Sequence, residues 1–316
     1  MQLTEVMMVL GFILAAYSVV SNDSIQTLGT FVAANAERKW WQLWMFASGI
    51  LIIVLFYGWF VNNGDPSYGR LTKFPEPPNG VSWLHVMAPL TLLILTRFGI
   101  PVSTTFLVLS VFAPGNIESM LLKSASGYLV AFIAAFALYM LIRRIVAYLL
   151  ETRTEDAPGY WYVIQWGSTA FLWSQWLIQD LANIFVFLPR DLSFNWLLFG
   201  TLVLVSLQGL IFYQKGGVIQ QIVTSKANVD DIRSAAIINF TYGLILMIFK
   251  EWSNMPMSTT WVFLGLLAGR ELAIALQVES RTIKSAGILV GKDAAKAGAG
   301  LIVSIFIAYL GIWLGI

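Results

Sequence analysis

The chain has no cysteine and a single histidine, His85. Disulfides and thiol chemistry are therefore excluded, and one imidazole cannot build a metal site, so His85 reads as an interfacial or packed ring. Charge is scarce: 11% of the 316 residues are Asp, Glu, Lys or Arg, against roughly a quarter in a soluble domain. There is no basic run, and a net charge of +2 leaves no footprint for nucleic acid. The N-terminus lacks the basic region of a cleaved signal peptide, and no polar stretch is long enough to fold as a soluble domain. No nucleophile is paired with a base, so an enzyme is not expected.

What the chain has in excess is apolar surface. Hydrophobic residues make up 58% and the mean hydropathy is +0.75. Several runs approach or exceed the roughly 18 apolar residues that mark a membrane helix. Trp40, Trp41, Trp44, Trp83 and Trp161 sit at run ends, where amphipathic rings anchor at a bilayer interface. The expectation is an all-α, multi-pass protein of the cell membrane, a single transmembrane domain over 1–316. Its apolar blocks fall roughly at 3–35, 41–61, 83–113 and 127–149, then at 160–189, 195–213, 233–276 and 298–316.

Two short patterns recur. "SNDSIQTLG" (21–29) aligns with "IQDLANIFV" (178–186), and "GIPVSTTF" (99–106) with "NMPMSTTW" (254–261). Both recur in the same order at nearly the same offset, close to half the chain. This implies a duplication, with repeat 1 over 1–150 and repeat 2 over 158–316. If every block crossed the bilayer once, the connection lysines and arginines would divide evenly between the two sides. If 83–113 and 233–276 are instead hairpins that return to their starting side, most of those cations gather on one face, as the positive-inside bias requires. That reading makes the repeats inverted, puts the PVSTT and PMSTT segments at hairpin tips, and faces both termini outside. Whether the hairpin limbs are re-entrant or fully spanning stays open.

The polar residues lie where lipid penalises them. An aspartate at membrane depth costs about 2.5–3.5 kcal/mol on insertion scales, yet Asp23 and Asp180 occupy matching places. Asn22-Asp23-Ser24 is a poor helix interior, because such side chains compete for backbone groups. Interruptions near residue 22 and near Asp180 are therefore expected, with free N–H and C=O groups at the new ends. At the tips, proline stops one limb and Ser103 or Thr104 caps the next. A lone Ser-Thr-Thr in a membrane helix usually bonds back to the preceding turn; two copies at matched positions argue for a site. The hydroxyls of Ser103, Thr104, Thr105, Ser258, Thr259 and Thr260 can donate to an oxyanion. Asp23, Asp180, Asn22, Gln26, Gln179 and Asn183 offer the hard oxygen a sodium-like cation needs. Inverted halves with interrupted helices and polar tips describe the midplane site of a secondary transporter. No Arg or Lys recurs at the motifs, so the anion's charge is expected to be balanced by the cation and helix dipoles. Lys250-Glu251 and Arg270-Glu271, on opposite limbs of the second hairpin, suggest structural pairing across the limbs.

These residues resemble the signature of the inorganic phosphate transporter (PiT) family, the sodium- or proton-coupled phosphate symporters. Members carry a duplicated GANDVANA motif, followed by GT in one half, and a G-x-PVSTT motif. Here "SNDSIQTLGT" and "QDLAN" match the first, and "GIPVSTT" and "NMPMSTT" the second. The resemblance spans nearly the whole chain. It implies an inverted-repeat helical fold, a phosphate site between the repeats, Na+ or H+ as coupling cation with no covalent cofactor, and a homodimer. Carried over by position, the signature Asn-Asp falls on Asn22 and Asp23, with Gln26 at the second Asn. In the other half it falls on Gln179 and Asp180, with Asn183 at the second Asn. The resemblance thus assigns the cation to Asp23, Asp180, Gln26 and Asn183. It assigns the anion to Asn22, Gln179 and the two Ser-Thr-Thr triplets. The chain departs from the pattern in its two glutamines, in bulky Ile184, in Phe106 and Trp261 where histidine is frequent, and in lacking a long central hydrophilic loop. Phosphate is the first expectation. A sulfate symporter of the same fold, an ion channel and a non-transporting membrane protein are the alternatives.

Overall fold

The computed structural model of the protein describes residues 3–97, 102–151, 159–215, 232–252, 254–277 and 283–314, and all regular structure among them is helical. In the first half, α1 (Leu3–Ser18) runs through a π-helical turn (Val19–Asp23) into α2 (Ser24–Ala34). Next come α3 (Trp40–Val61), α4 (Trp83–Arg97), a π-helical turn (Thr105–Leu109) leading to α5 (Ser110–Phe112), and α6 (Ile117–Glu151). The second half holds α7 (Tyr160–Asp180) and α8 (Ala182–Phe185), α9 (Phe194–Tyr213), α10 (Ile232–Trp252), α11 (Thr259–Gln277) and α12 (Ile283–Leu314).

Burial runs opposite to that of a soluble protein. Ile53, Phe60, Leu129, Leu141, Leu202 and Phe306 are more than half exposed, while Asn22, Asp23, Gln179, Asp180 and Asn183 are buried. Among the described residues, seven helical stretches are long and apolar enough to cross a bilayer. Between its end turns such a stretch satisfies its backbone groups within its own helix, which is what hydrocarbon requires. The protein is a multi-pass integral membrane protein.

The halves interlock. Helix α6 packs along α11, and reciprocally α12 packs on the π turn and α5 of the first half; α3 packs on α9. The α6–α11 contact depends on small residues. A Cβ on Gly265 would lie 2.3 Å from the carbonyl oxygen of Tyr128, and one on Gly269 would lie 2.1 Å from that of Phe132. This Gly-x-x-x-Gly spacing lets two backbones touch, as in other membrane helix pairs.

The two hairpins differ in length. In the second, Ala235–Trp252 and Thr259–Leu276 are both of spanning length. In the first, α4 has 15 residues, and the helical stretch that follows ends at Phe112. Ala113 is forced out of helical geometry (φ −147°, ψ 79°) by the proline behind it. The chain turns at Pro114 and enters α6. The limbs of the first hairpin are therefore short and those of the second long. His85 is a packed ring: its Nδ1 accepts the Ser82 N–H at 3.1 Å, and it lies 4.5 Å from the ring of Phe112.

Candidate functional site

In the first half the site begins at the widened turn. The N–H of Ser24 reaches back five residues to Val19 O, the signature of a π turn. The Ser24 hydroxyl takes up the carbonyl that such a turn loosens, donating to Val20 O, and one turn earlier Ser18 Oγ donates back to Leu14 O at 2.7 Å. The interruption expected near residue 22 is therefore an extra residue within a continuous helix, not an unwound gap with free ends. Its consequence is that adjacent Asn22 and Asp23 are both buried, at 3% and 2% exposure. Asn22 Nδ2 donates to Asp23 Oδ1 at 2.6 Å, and Thr104 Oγ1 donates to Asp23 Oδ2.

The second half repeats the pattern with other residues. Helix α7 ends at Asp180, and Leu181 separates it from α8 while staying in the right-handed region (φ −57°, ψ −31°). Asn183 Nδ2 donates to Asp180 Oδ1 at 2.9 Å, and Thr259 Oγ1 donates to Asp180 Oδ2 at 2.6 Å. Each aspartate thus receives one amide from its own motif and one threonine hydroxyl from the tip of its own half. The two carboxylates are close enough to feel each other's charge.

Ser103 and Ser258 act as matched helix caps. Ser103 Oγ accepts the Phe106 N–H and Ser258 Oγ the Trp261 N–H, both at 3.2 Å. The first-turn N–H groups beyond each cap have no partner within the helix. Pro101, expected to stop the preceding limb, lies outside the described residues. The tips meet each other: Thr105 Oγ1 donates to Met257 O at 3.2 Å and accepts from Asn183 Nδ2 at 3.3 Å. The rings of Phe106 and Trp261, which follow the two triplets, lie 5.6 Å apart. Thr260 is buried in the same region at 2% exposure.

The donor set suits a small hard cation. Asp23 and Asp180 supply carboxylate oxygen. Asn183 Oδ1 is buried with no hydrogen-bond partner, an acceptor left open beside a carboxylate, and such an orphan calls for a ligand. The side chain of Gln26, the other expected amide, lies outside the described residues. Gln179 is engaged at both ends: Nε2 donates to Leu246 O at 3.1 Å, and Oε1 accepts from Arg70 Nη2 at 3.3 Å.

Arg70 is the residue the motifs do not reveal. It lies in the connection between α3 and α4, yet is 1% exposed, and its charge is felt at Asp180. Burial pulls its guanidinium down to about 10, while Asp180, Asp65 and Glu251 hold it up, so it is cationic at neutral pH. No arginine recurs at the motifs, as the sequence shows, but the connection between α3 and α4 brings one against Gln179 of the second motif. The pairing expected across the second hairpin is corrected. Lys250 pairs with Glu251 at 3.4 Å and Arg270 with Glu271 at 3.5 Å, each with its chain neighbour rather than with the other pair.

No protein-family model matches the sequence, and no curated protein does. A solved structure described as "The sodium-dependent phosphate transporter" shares the fold: TM-score 0.62 at 16% sequence identity, covering 99% of each chain.

Proposed function

We propose that this protein is a cation-coupled oxyanion symporter of the cell membrane, with phosphate as substrate and sodium as coupling ion. It would be built from two inverted repeats, 1–150 and 158–316, and assemble as a homodimer. The observation that carries this reading is the duplicated pairing of a buried aspartate with a tip threonine, Asp23 with Thr104 and Asp180 with Thr259. Twin carboxylates at membrane depth are tolerated where they hold an ion. The unpartnered Asn183 Oδ1 is the oxygen such an ion would complete. Capped helix starts at Ser103 and Ser258, with N–H groups and hydroxyls gathered between the tips, suit an anion beside it. The reciprocal packing of α6 on α11 and α12 on α5 is what a two-fold relation between halves would produce. The fold shared with a sodium-dependent phosphate transporter supports the choice of substrate and ion. Alternating access then follows from one bundle rocking against the other around the site.

The experiment is uptake into vesicles reconstituted with the purified protein, phosphate against sulfate, with and without sodium. Saturable phosphate uptake that needs a sodium gradient is expected. Flux undiminished without sodium and without a proton gradient would sink coupling, and flux that never saturates would indicate a channel.

A further inference from the structure

Arg70 is more deeply buried than a surface connection requires, and a dedicated loop holds it there. Asp65 Oδ1 accepts the N–H of Ser67 at 2.7 Å, and its Oδ2 accepts that of Gly69 at 2.9 Å. Gly69 adopts φ +77°, open to a residue without Cβ. Tyr68 Oη donates to Val54 O at 2.9 Å, tying the loop to α3. The guanidinium so placed is poorly satisfied. Nη2 reaches Gln179 Oε1 at 3.3 Å, Nη1 reaches Ser67 O at 3.5 Å, and Nε has no partner. Among the described residues no carboxylate lies within 4 Å of it. Asp180, Asp65 and Glu251 act on it only from farther away, and a buried cation with no anion in contact is costly unless one completes it. A planar fork of N–H donors is the group best matched to an oxyanion.

A cleft opens beside this loop. Of about 480 Å³, it is lined by Lys73, Ser119, Lys123, Trp252, Asn254 and Met255, among others. Lys73 closes the same short helical turn that Arg70 opens. Asn254 Nδ2 lies 3.7 Å from where a Cβ on Gly69 would be. Lys123 Nζ donates to Met255 O at 2.7 Å, so its amine borders the cleft, while the positive charge at its mouth is that of exposed Lys73. From Asn254 the chain leads to Met257, whose carbonyl accepts from Thr105, and to the cap Ser258. Clefts lined by one sign of charge concentrate the opposite ion.

We propose that Arg70 is an oxyanion ligand of this protein, and that the Lys73–Lys123 cleft is the path by which the anion reaches it. The assignment rests on the symporter reading and adds to it a fixed positive charge that meets the substrate. Such a charge favours multiply charged oxyanions over singly charged ones.

The test is radiolabelled phosphate binding and uptake by the reconstituted protein at saturating sodium. Arg70→Gln should raise the phosphate KM about tenfold or more with a much smaller change in kcat. It should also abolish the thermal stabilisation that phosphate gives the wild type, while the melting temperature without phosphate stays close to wild type. Arg70→Lys keeps the charge without the fork and should fall between the two. It also carries the test should the glutamine variant fail to fold. Lys73→Gln, at an exposed position, should slow phosphate uptake several-fold at low ionic strength and not at high. Wild-type phosphate affinity in Arg70→Gln or Arg70→Lys would overturn the ligand assignment, and a Lys73→Gln variant without any low-salt effect would overturn the path. A wild-type protein that binds neither phosphate nor sulfate would defeat the symporter reading itself, and the Arg70 assignment with it. That failure appears in the wild-type arm alone.

Discussion

The two tips share their chemistry and differ in their supports. Ser103 and Ser258 cap with the same 3.2 Å bond, and each following threonine donates to the aspartate of its own half. Around these bonds, the first tip stands on the 15-residue α4 and a stretch cut off at Pro114, the second on α10 and α11, of 21 and 19 residues. The few atoms around the two aspartates are matched, while the limbs that carry them diverge. The electrostatics diverge as well. Asp180 feels Arg70 and has Asn183, with its open oxygen, as neighbour; Asp23 has the Asn22 amide. The two carboxylates are equivalent in bonding but not in environment.

The strongest way to break this comparison is to neutralise each acid in turn. Asp180→Asn and Asp23→Asn should each lower sodium-driven phosphate uptake at least ~100-fold, about 2.7 kcal/mol or more. Because Arg70 faces Asp180, the Asp180 variant should also shift the phosphate KM, whereas the Asp23 variant should act mainly on sodium dependence. Flux assays across a sodium titration separate the two. Identical phenotypes would mean that the electrostatic difference has no functional weight.

A second contrast concerns the scaffold. Gly269→Ala places a methyl against the Phe132 carbonyl, a backbone atom that cannot move unless α6 shifts. The cost should be about 1–3 kcal/mol, read as a lower melting temperature in detergent. Gly291→Ala on α12, with nothing within 4 Å of the added carbon, should leave stability unchanged or slightly raised through helix propensity. Equal effects at the two positions would refute close α6–α11 packing.

The amides sharpen the asymmetry further. Asn183→Ala removes the open oxygen and should raise the sodium concentration for half-maximal uptake about tenfold, ~1.4 kcal/mol. Asn22→Ala removes an amide whose described bond is a donation to Asp23, and its effect on sodium should be smaller. The reverse order would place the cation nearer the first half.

How far the sequence foretells this site depends on the kind of signal. A carboxylate inside an apolar run is conspicuous, and its recurrence beside a Ser-Thr-Thr triplet marks Asp23, Asp180 and the two tips. The helical fold is legible for the same reason, since the apolar runs have spanning length. The π turn is not, because nothing in the spacing of Ser18, Asn22, Asp23 and Ser24 separates a widened turn from a broken helix. Arg70 is hidden more deeply. It sits in "NNGDPSYGRLTKFPEPPNG", whose Gly, Pro, Asn and Asp content reads as a polar connection. Its burial is made in three dimensions, by Asp65 wrapping Ser67 and Gly69 and by the left-handed backbone of Tyr68 and Gly69. The Asp-Pro-Ser-Tyr-Gly turn chemistry is the one local hint that this connection is compact.

The smallest expected effects test where the halves should agree. Ser103→Ala and Ser258→Ala each remove a cap and should each destabilise the protein by about 1 kcal/mol. Because the cap bonds are the same length, the two losses should match within about 0.5 kcal/mol, despite limbs of such different length. Ser103→Thr and Ser258→Thr keep the hydroxyl and should restore most of that stability. Thermal melts of the four variants without phosphate isolate capping from any role in binding. A loss confined to Ser258→Ala would show that the short first limb is held by its packing on α12 rather than by its cap, and that the matched bonds are not matched in energy.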